Sequence, residues 1–567
     1  MMSDNNEDLI AHAIDTAEEF VDSTDTLSEK PRLLVERCDP DDSVAALRDI
    51  LADKGDLYDR GVPVRLVFDQ IQQGVVAQVM RPDSLVLRAH QVCRPFILKK
   101  GEEKNAQLPR QFAVMYLDWH GEWRLPRLNG IASSPLLGED GAISRSEGYD
   151  AASGMWCENV PDLQGLIPDR PTEDQARAAL HLIRETFKTF CFADAITKED
   201  SGVAVVDTTV RPGMDESAFL NALLTAVCRP SLHLAPGALF SAAPMSGAGA
   251  GKGLLARCIC IIAFGREPHA VTAGASSEEL EKRIAAELME GSPALFLDNL
   301  NNTTFKSDLL ASAITERPAK VRVLGRSQMV LLNATAFVIL TGNGLRVSED
   351  LARRFIAVDF DPRTEDPETR PFKNNIRAEV TKRRKELLAA LLTIWRWGRI
   401  TKNITPGLPL GSFEQWTSWV RDPLLALGCK DPAARVSEAK ERDGRRQTLA
   451  DVIAIWWEKH QDWPVTVREL HHDVTQAIDP QGRGRQYIAA YVERLAGTRM
   501  AGFVFTRQPP AGKWGAATYA LKKADAAAED HRVTDAPYAP YANPGSNGNR
   551  HSIDLAASSP ELWEAEI

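Results

Sequence analysis

The sequence predicts an α/β protein with a βαβ core at its centre. The glycine-rich segment Ser246–Gly253 lies between an apolar run and a helix-like run, where a strand would turn into a helix. Such a turn lets backbone N–H groups converge on a phosphate at the helix N-terminus. Around it, apolar runs alternate with helical segments, which is the pattern of a βαβ sheet. The expected strands are Leu239–Ala243, Ala270–Thr272, Ala294–Leu297, Ala336–Thr341 and Phe355–Asp359.

Composition is that of an ordinary globular protein. Of the 567 residues, 44% are hydrophobic and 26% are charged, and the length suggests several domains. Apolar runs are too short for a transmembrane helix, and the acidic beginning lacks the basic-then-apolar order of a signal peptide. The eight cysteines show no paired CxxC spacing, which argues against a zinc finger or a disulfide framework. We therefore expect a cytoplasmic protein with no membrane partner.

Changes in composition and periodicity divide the chain into segments. We expect a disordered acidic N-terminus (1–28), an α/β N-terminal domain (29–200), the nucleotide-binding core (201–365), a helical lid or linker (366–444), a small C-terminal domain (445–522) and a disordered tail (523–567). Outside the core, the patterns predict strands at Pro31–Val35 and Pro63–Phe68, and helices at Asp42–Ala52, Thr172–Phe192, Val380–Arg399 and Gly411–Leu427.

The glycine-rich segment is an imperfect P-loop. Lys252 supplies the point charge that holds the outer phosphates of a nucleotide. The usual pattern G-x-x-x-x-G-K-[ST] begins with Gly and ends with a hydroxyl residue, whereas Ser246 and Gly253 occupy those positions here. The loop therefore lacks the usual hydroxyl ligand for Mg²⁺, and a flexible turn with an incidental lysine is the alternative interpretation. The expected nucleotide-binding residues are Ser246, Gly247, Ala248, Gly249, Ala250, Gly251, Lys252, Gly253 and Leu254.

Polar residues follow two of the expected strands. Asp298 comes directly after Ala294–Leu297, which places a metal-binding carboxylate at the carboxyl edge of the sheet. Asn343 ends another apolar run and is suited to orienting the attacking water or contacting the γ-phosphate. Arg353 and Arg354 precede the last strand, from which a guanidinium can stabilise charge on a neighbouring subunit's nucleotide. A solvent-exposed basic pair is the alternative for these two arginines.

In order, Lys252, Asp298, Asn343 and Arg354 form the series P-loop, Walker B acid, sensor 1 and arginine finger. Through the segments SGAGAGKG, LFLDN, TGN and DLARRF, the chain resembles the AAA+ helicases of phages and integrative elements. That group is close to superfamily-three helicases and to the helicase half of primase–helicase proteins. The likeness extends over roughly residues 120 to 435 and includes Asp140–Gly141, Gly148–Asp150, Gly411–Trp416 and Val420–Leu424.

The resemblance implies an AAA+ P-loop ATPase core that uses ATP and Mg²⁺, with Asp298 as the metal ligand. It also implies a homo-oligomer, a hexameric ring, because Arg354 would act on a neighbour's nucleotide. Many AAA+ proteins place a catalytic Glu after the Walker B Asp, but this chain has Asn299, whose amide cannot accept a proton. Glu279 lies in a segment that resembles an E-x-x-K-R element and is the expected base; a solvated helix face is the alternative.

A basic hairpin is predicted between the Walker B acid and sensor 1. Residues 319–331 alternate in polarity and then turn at Gly325, and the cationic residues are Lys320, Arg322 and Arg326. In superfamily-three helicases, a hairpin at this position lines the ring's pore and contacts single-stranded DNA. Cationic side chains can follow phosphates without reading bases. A charged surface hairpin is the alternative.

The C-terminal segment predicts a winged-helix domain. Its expected order is a helix, a strand, two helices and a hairpin, namely Thr448–His460, Pro464–Val467, Val467–Ala477, Gln486–Ala496, and Phe503–Arg507 with Thr518–Leu521. Arg483 and Arg485 precede the third helix and Lys513 lies in the hairpin turn, so these residues are expected to contact duplex or forked DNA. Winged helices also bind proteins, which is the alternative. The net charge of −11 argues only against a protein that coats nucleic acid with its whole surface.

Together these features predict an ATP-dependent DNA helicase of a mobile genetic element, active in replication, whose N-terminal domain recruits a replication partner. Two alternatives stay open. A non-helicase AAA+ ATPase would remodel DNA, initiate replication or act in defence. A nucleotide-binding regulator would not hydrolyse ATP, which Gly253 and Asn299 leave open.

Overall fold

The computed structural model describes residues 30–36, 38–200, 202–243, 249–272, 274, 276–322, 329–364, 367, 375–435, 444–510 and 516–523. The predicted site residues Ser246, Gly247, Ala248, Arg326 and Lys513 lie outside these ranges, as do both expected disordered termini apart from Lys523. The chain divides into two compact units, Met1–Lys440 and Glu441–Ile567. Among the described helices, none combines the length and apolar character needed to cross a bilayer.

The first unit begins with a small α/β region that has its own hydrophobic core. Residues of this core include Leu47, Leu85, Phe112 and Trp123. The elements are β1 (Arg32–Leu34), α1 (Pro40–Lys54), β2 (Leu57–Asp59), β3 (Pro63–Asp69), β4 (Gly74–Val79), α2 (Pro82–Val92), β5 (Arg94–Lys99), β6 (Glu102–Asn105) and α3 (Arg110–Asp118). They form two three-stranded sheets, β1-β5-β6 and β2-β3-β4.

The hydrophobic core around the central sheet extends to residues before 200, where a domain boundary was expected. The expected helix Thr172–Phe192 ends at Phe187, and Phe187 and Ile183 belong to the same buried cluster as the central sheet. Thr172 begins that helix with a capping box formed with Gln175. The elements here are β7 (Gly130–Ala132), β8 (Leu136–Leu137), β9 (Ile143–Ser144), β10 (Gly148–Asp150), β11 (Met155–Cys157), α4 (Glu173–Phe187), β12 (Thr197–Asp200), β13 (Val203–Val206) and α5 (Met214–Cys228).

A five-stranded parallel sheet forms the centre of the first unit, which confirms the predicted α/β class. Its strand order is β15-β16-β20-β14-β22. The strands and intervening elements are β14 (Gly237–Ala242), α6 (Lys252–Phe264), β15 (Ala270–Val271), α7 (Ser277–Glu290), β16 (Ala294–Leu297), β17 (Thr304–Phe305), α8 (Asp308–Thr315), β18 (Ala319–Arg322), β19 (Met329–Leu332), β20 (Phe337–Asn343), β21 (Arg346–Val347), α9 (Glu349–Ala352) and β22 (Phe355–Phe360). The inner strands β16, β20 and β14 are largely buried on both faces and are mostly apolar, as inner strands of parallel sheets are.

Two expected helices of the lid segment are interrupted. The expected helix Val380–Arg399 consists of α10 (Ile376–Lys382) and α11 (Arg384–Ile400), which are separated at Arg383. The expected helix Gly411–Leu427 consists of α12 (Glu414–Trp416), a π-helical turn (Thr417–Arg421) and α13 (Asp422–Ala426). Pro423 lacks a backbone N–H, and Ser412 has a φ of 74°, so a regular helix cannot span this stretch.

The described residues of the second unit form three helices and an antiparallel sheet around a core that includes Trp456 and Phe505. The expected second helix Val467–Ala477 is shorter, because Thr466 donates to Glu469 in a turn and the helix starts only after His471 caps it. The elements are α14 (Gly444–His460), β23 (Val465–Thr466), α15 (His472–Ile478), α16 (Arg485–Leu495), β24 (Arg499–Met500), β25 (Phe503–Gln508) and β26 (Thr518–Lys523), with strand order β23-β26-β25-β24.

Candidate nucleotide-binding site

The P-loop residues that the structure describes lead directly into the N-terminus of α6. Gly249 and Gly251 have φ values of 74° and 91°, which side chains with a Cβ rarely adopt. These glycines turn the chain after β14 so that Lys252 becomes the first residue of α6. The four N–H groups at the start of a helix lack intrahelical partners, and the helix dipole adds positive potential there. This helix end is therefore suited to binding a phosphate.

Lys252 and Asn343 meet at the carboxyl edge of the sheet. The Lys252 Nζ atom donates to Asn343 Oδ1 at 2.6 Å. Burial lowers the pKa of the Lys252 ammonium, and the nearby Cys191 and Asp298 oppose this shift. Strand β20 lies between β14 and β16, so Asn343 at its end stands between the P-loop and Asp298. The strand order thus brings together three of the predicted residues.

Asp298 is fixed by its neighbours on β20 and α6. Its Oδ1 atom accepts a hydrogen bond from the Thr341 hydroxyl, and its backbone N–H donates to Val271 O at 3.1 Å. Arg257 Nη2 lies 3.7 Å from Asp298 Oδ2. Neither Thr341 nor Arg257 was predicted as a site residue. Their signals were present in the sequence: Thr341 lies two residues before Asn343, and Arg257 lies one helical turn after Gly253.

A cavity of about 450 Å³ connects the P-loop to these strand ends. Asn299 contributes to its wall with a φ of 65°, and its N–H donates to Thr341 Oγ1 at 3.4 Å. Asn301 also lines it and accepts the N–H of Asn343 at 2.7 Å. The lining residues are Gly249, Ala250, Gly251, Lys252, Gly253, Asp298, Asn299, Asn301, Thr341, Gly342 and Asn343.

Asp298 is the single carboxylate among the described residues of that lining. Within the described ranges, no group of three or more His, Cys, Asp or Glu side chains is placed to hold a metal ion. A Mg²⁺ ion usually keeps several waters and binds one or two carboxylates together with substrate phosphates. The residues therefore fit Mg²⁺ that arrives with a nucleotide, with Asp298 as the protein ligand.

A second cavity of about 650 Å³ shares Gly249–Gly251 with the first. Leu254, another of the predicted nucleotide-binding residues, also lines this second cavity. The other apolar lining residues come from segments far apart in the sequence, which is why sequence patterns did not indicate this cavity. They are Phe190, Val203, Val205 and Ile376, and the polar lining includes Glu185, Lys188, Asn375 and Arg377.

The predicted arginine finger lies at the opposite edge of the sheet. Arg354 immediately precedes β22, and the first residue of that strand pairs with Gly237 at the start of β14. The P-loop follows the other end of β14. Arg354 Nη1 donates to Asp350 O at 2.8 Å and pairs with the Asp350 carboxylate, while Arg353 Nη2 lies 3.1 Å from Asp350 Oδ1. Neither arginine lines the cavities beside the P-loop of its own chain.

Glu279 lies in the first turn of α7 and does not line the first cavity, which contains Lys252, Asp298 and Asn343. Its Oε1 atom accepts from Arg283 Nε at 3.4 Å, and Arg283 Nη1 donates to Thr272 O at 3.2 Å. Thr272 follows Val271, whose carbonyl accepts the N–H of Asp298. Arg283 thus joins Glu279 to Thr272, which lies next to the strand that precedes Asp298. The described hydrogen bonds do not include one between Glu279 and Asp298.

The basic hairpin presents a mixed face. Strands β18 and β19 pair antiparallel, with Lys320 opposite Leu331 and Arg322 opposite Met329. These four side chains are exposed, while the alternate residues of both strands are buried. The exposed face therefore combines two cations with two apolar side chains.

In the second unit, Arg483 and Arg485 lie at the start of α16. The Arg483 guanidinium lies 4.7 Å from the centre of the Tyr487 ring, and its Nε donates to Gln481 Oε1 at 3.1 Å. Arg485 is the first residue of the helix. Asp479 Oδ2 accepts the Gly484 N–H at 2.7 Å and so fixes the preceding loop. The helix N-terminus carries a cluster of positive charge and aromatic surface.

No protein-family profile and no curated protein matches the chain. Among solved structures, the C-terminal region of NrS-1 in an apo A form is 10% identical, with a TM-score of 0.32; the match covers 84% of this chain and 100% of that one. An active helicase, Cch of SCCmec type IV, is 11% identical, with a TM-score of 0.27, and the match covers 84% and 98%. TM-scores this low carry no conclusion about this chain, so its proposed function depends on its own residues alone.

Proposed function

We propose that the protein is an ATP-hydrolysing DNA helicase of the AAA+ class, similar to superfamily-three helicases, that assembles into a homo-oligomeric ring and moves along single-stranded DNA. One observation carries the proposal. Lys252, Asp298 and Asn343 line one cavity at a helix N-terminus, although they are separated by up to 91 residues along the chain.

In this site, the α6 N-terminus and Lys252 would bind the β- and γ-phosphates. Asp298 would hold Mg²⁺, which supplies positive charge that neutralises the phosphates during transfer. When a nucleotide binds, the hydrogen bond between Lys252 and Asn343 would break so that Lys252 contacts the phosphates. The amide of Asn343 would then orient the attacking water. Asn299 cannot take the water's proton, so the proposal assigns this role to Glu279 after a rearrangement that brings it to the cavity.

The second cavity is proposed to hold the nucleotide base. It shares Gly249–Gly251 with the first cavity, and its lining includes the apolar residues Phe190, Val203, Leu254 and Ile376. Bases are flat and largely apolar on their faces, so they bind between side chains of this kind. The charged residues at the rim, including Lys188, are placed to contact polar edges of the base or ribose.

Two surfaces are proposed to contact DNA. On the hairpin, Lys320 and Arg322 would neutralise phosphates, and the exposed Met329 and Leu331 would offer apolar surface to the bases. In the second unit, the order helix, strand, helix, helix, sheet supports a winged helix with Arg483 and Arg485 facing DNA. A hexameric ring would place the hairpins around one strand, with Arg354 reaching the neighbour's nucleotide.

A forked-duplex unwinding assay tests the proposal, with ATP turnover measured in the same samples. We expect the wild type to hydrolyse ATP and separate the strands, and Lys252→Ala to do neither. Turnover without strand separation would instead indicate a remodelling, initiator or defence ATPase. Nucleotide binding without turnover would indicate a regulator. A folded Lys252→Ala variant with wild-type nucleotide affinity would reject the nucleotide site itself.

A further inference from the structure

Arg257 lies beside the position at which the usual P-loop hydroxyl residue would carry its side chain. It lies four residues after Gly253 on α6, so both residues share one face of the helix. Arg257 Nη1 donates to Gly253 O at 3.0 Å. The same nitrogen lies only 2.9 Å from the point where a Cβ at position 253 would stand. A Ser or Thr at this position would therefore displace the guanidinium.

The same guanidinium faces the Walker B acid. Its Nη2 lies 3.7 Å from Asp298 Oδ2, and a Cβ at Gly253 would lie 3.6 and 3.7 Å from the two carboxylate oxygens. Arg257 thus lies beside both the position of the absent side chain and the carboxylate. In a P-loop with a Ser or Thr, the hydroxyl and the Walker B Asp share one Mg²⁺ ion. Here a fixed positive charge lies beside that place.

Other contacts hold Arg257 in this orientation. The guanidinium lies 5.2 Å from the centre of the Phe296 ring, and Nε lies 3.5 Å from Glu267 Oε2. The side chain is 28% exposed, so it is partly desolvated and still accessible to solvent. An arginine that is already ordered loses less conformational entropy when it binds a ligand.

We propose that Arg257 binds the nucleotide's outer phosphates directly and makes nucleotide binding less dependent on Mg²⁺ than it is in a P-loop with a hydroxyl residue. The proposal rests on the nucleotide site proposed above. A planar guanidinium forms two parallel hydrogen bonds with phosphate oxygens, which are stronger than bonds between neutral groups. It therefore supplies charge and geometry that the absent hydroxyl and its cation otherwise provide together.

The test is a titration of the full chain with a fluorescent ATP analogue, once with excess Mg²⁺ and once with EDTA. For the wild type, we expect the Kd to rise less than about tenfold when Mg²⁺ is removed. For Arg257→Gln, the affinity in EDTA should fall by roughly 10- to 100-fold, the loss of a hydrogen bond to a charged group, and by much less in Mg²⁺. For Arg257→Lys, which keeps the positive charge but not the planar guanidinium, the affinity in EDTA should lie between those of the wild type and Arg257→Gln.

A double variant, Gly253→Thr with Arg257→Gln, should bind the analogue tightly in Mg²⁺ but weakly in EDTA. Arg177→Gln is the matched control, because Arg177 is an exposed arginine paired with Glu173 outside both cavities. Thermal unfolding without nucleotide checks that each variant folds. A wild type that binds nucleotide only with Mg²⁺, or an equal loss for Arg257→Gln in both conditions, overturns the proposal. If Lys252→Ala retains full affinity, the proposed nucleotide site fails instead.

Discussion

The Nζ atom of Lys252 lies 2.6 Å from Oδ1 of Asn343, which joins the first residue of α6 to the last residue of β20. The two elements reach this cavity from different layers of the fold. Because an amide oxygen is neutral, it compensates only part of the cost of burying an ammonium, and the pKa of Lys252 is lowered. A phosphate would compensate this charge fully and would favour the protonated amine.

Nucleotide affinity should therefore decrease as the pH rises from neutral into the alkaline range below the usual pKa of lysine, because phosphate binding requires a protonated Lys252 and burial lowers the pKa of this ammonium. The sign follows from proton uptake: the bound form holds the proton, so removing protons opposes binding. Measuring the Kd of ATP across this range checks the slope. Lys252→Arg, which stays charged, should show a flatter profile. Equal slopes for both proteins would contradict this assignment.

Local patterns predicted the strands that carry the site. Asp298 and Asn343 each end an apolar run, and a buried parallel strand needs just such a run. The patterns did not predict the strand order, which is set by long-range packing and which brings Asn343 between Lys252 and Asp298. They also missed Arg257, whose role depends on the absence of a side chain at Gly253.

The second cavity was beyond sequence reasoning for a different reason. Its lining comes from segments around Phe190, Val203, Leu254 and Ile376, and no periodicity connects them. In the lid segment, the apolar spacing predicted a regular helix over Gly411–Leu427. The helix begins only after Ser412, whose φ is positive, and a π-helical turn replaces its regular geometry just before Pro423.

Arg184 on α4 and Glu216 on α5 form a buried, bidentate ion pair. Nε–Oε1 and Nη2–Oε2 distances are 2.7 and 2.9 Å, and Arg184 also donates to Thr208 O and Val210 O. Burial raises the pKa of Glu216, and Arg184 opposes that shift. Replacing the arginine leaves a buried carboxylate without its partner.

Arg184→Met should therefore lower the free energy of unfolding by about 3–5 kcal/mol. Arg184→Met with Glu216→Leu should lose less than Arg184→Met alone, because no unpaired charge is left. Urea unfolding of the three proteins measures both values. Arg177→Met, on the exposed side of the same helix, serves as the control and should change stability by less than about 1 kcal/mol. A double variant as unstable as the single one would show that the pair's charge is not the cause.

Lys320 and Arg322 should each contribute one phosphate contact to single-stranded DNA. Replacing either by alanine should weaken binding without changing base preference, and should reduce the slope of log K against log salt by about 0.7. Fluorescence anisotropy with an oligonucleotide at several salt concentrations gives the slope. Lys282→Ala is the matched control, because Lys282 is an exposed lysine on α7 paired with Glu278. If Lys282→Ala and Lys320→Ala reduce the slope equally, the hairpin is not the DNA-binding surface.

Arg354 should act on the nucleotide of a neighbouring subunit, because it lies at the edge of the sheet opposite the P-loop. Arg354→Ala and Lys252→Ala should each abolish ATP turnover in pure rings. Mixing the two inactive proteins should restore activity, since some interfaces then combine an intact Lys252 with an intact Arg354; for random pairing this is about a quarter of the interfaces. Turnover measured across mixing ratios should peak near equal amounts. Mixtures as inactive as the separate variants, despite confirmed subunit exchange, would place Arg354 in its own chain's site or outside catalysis.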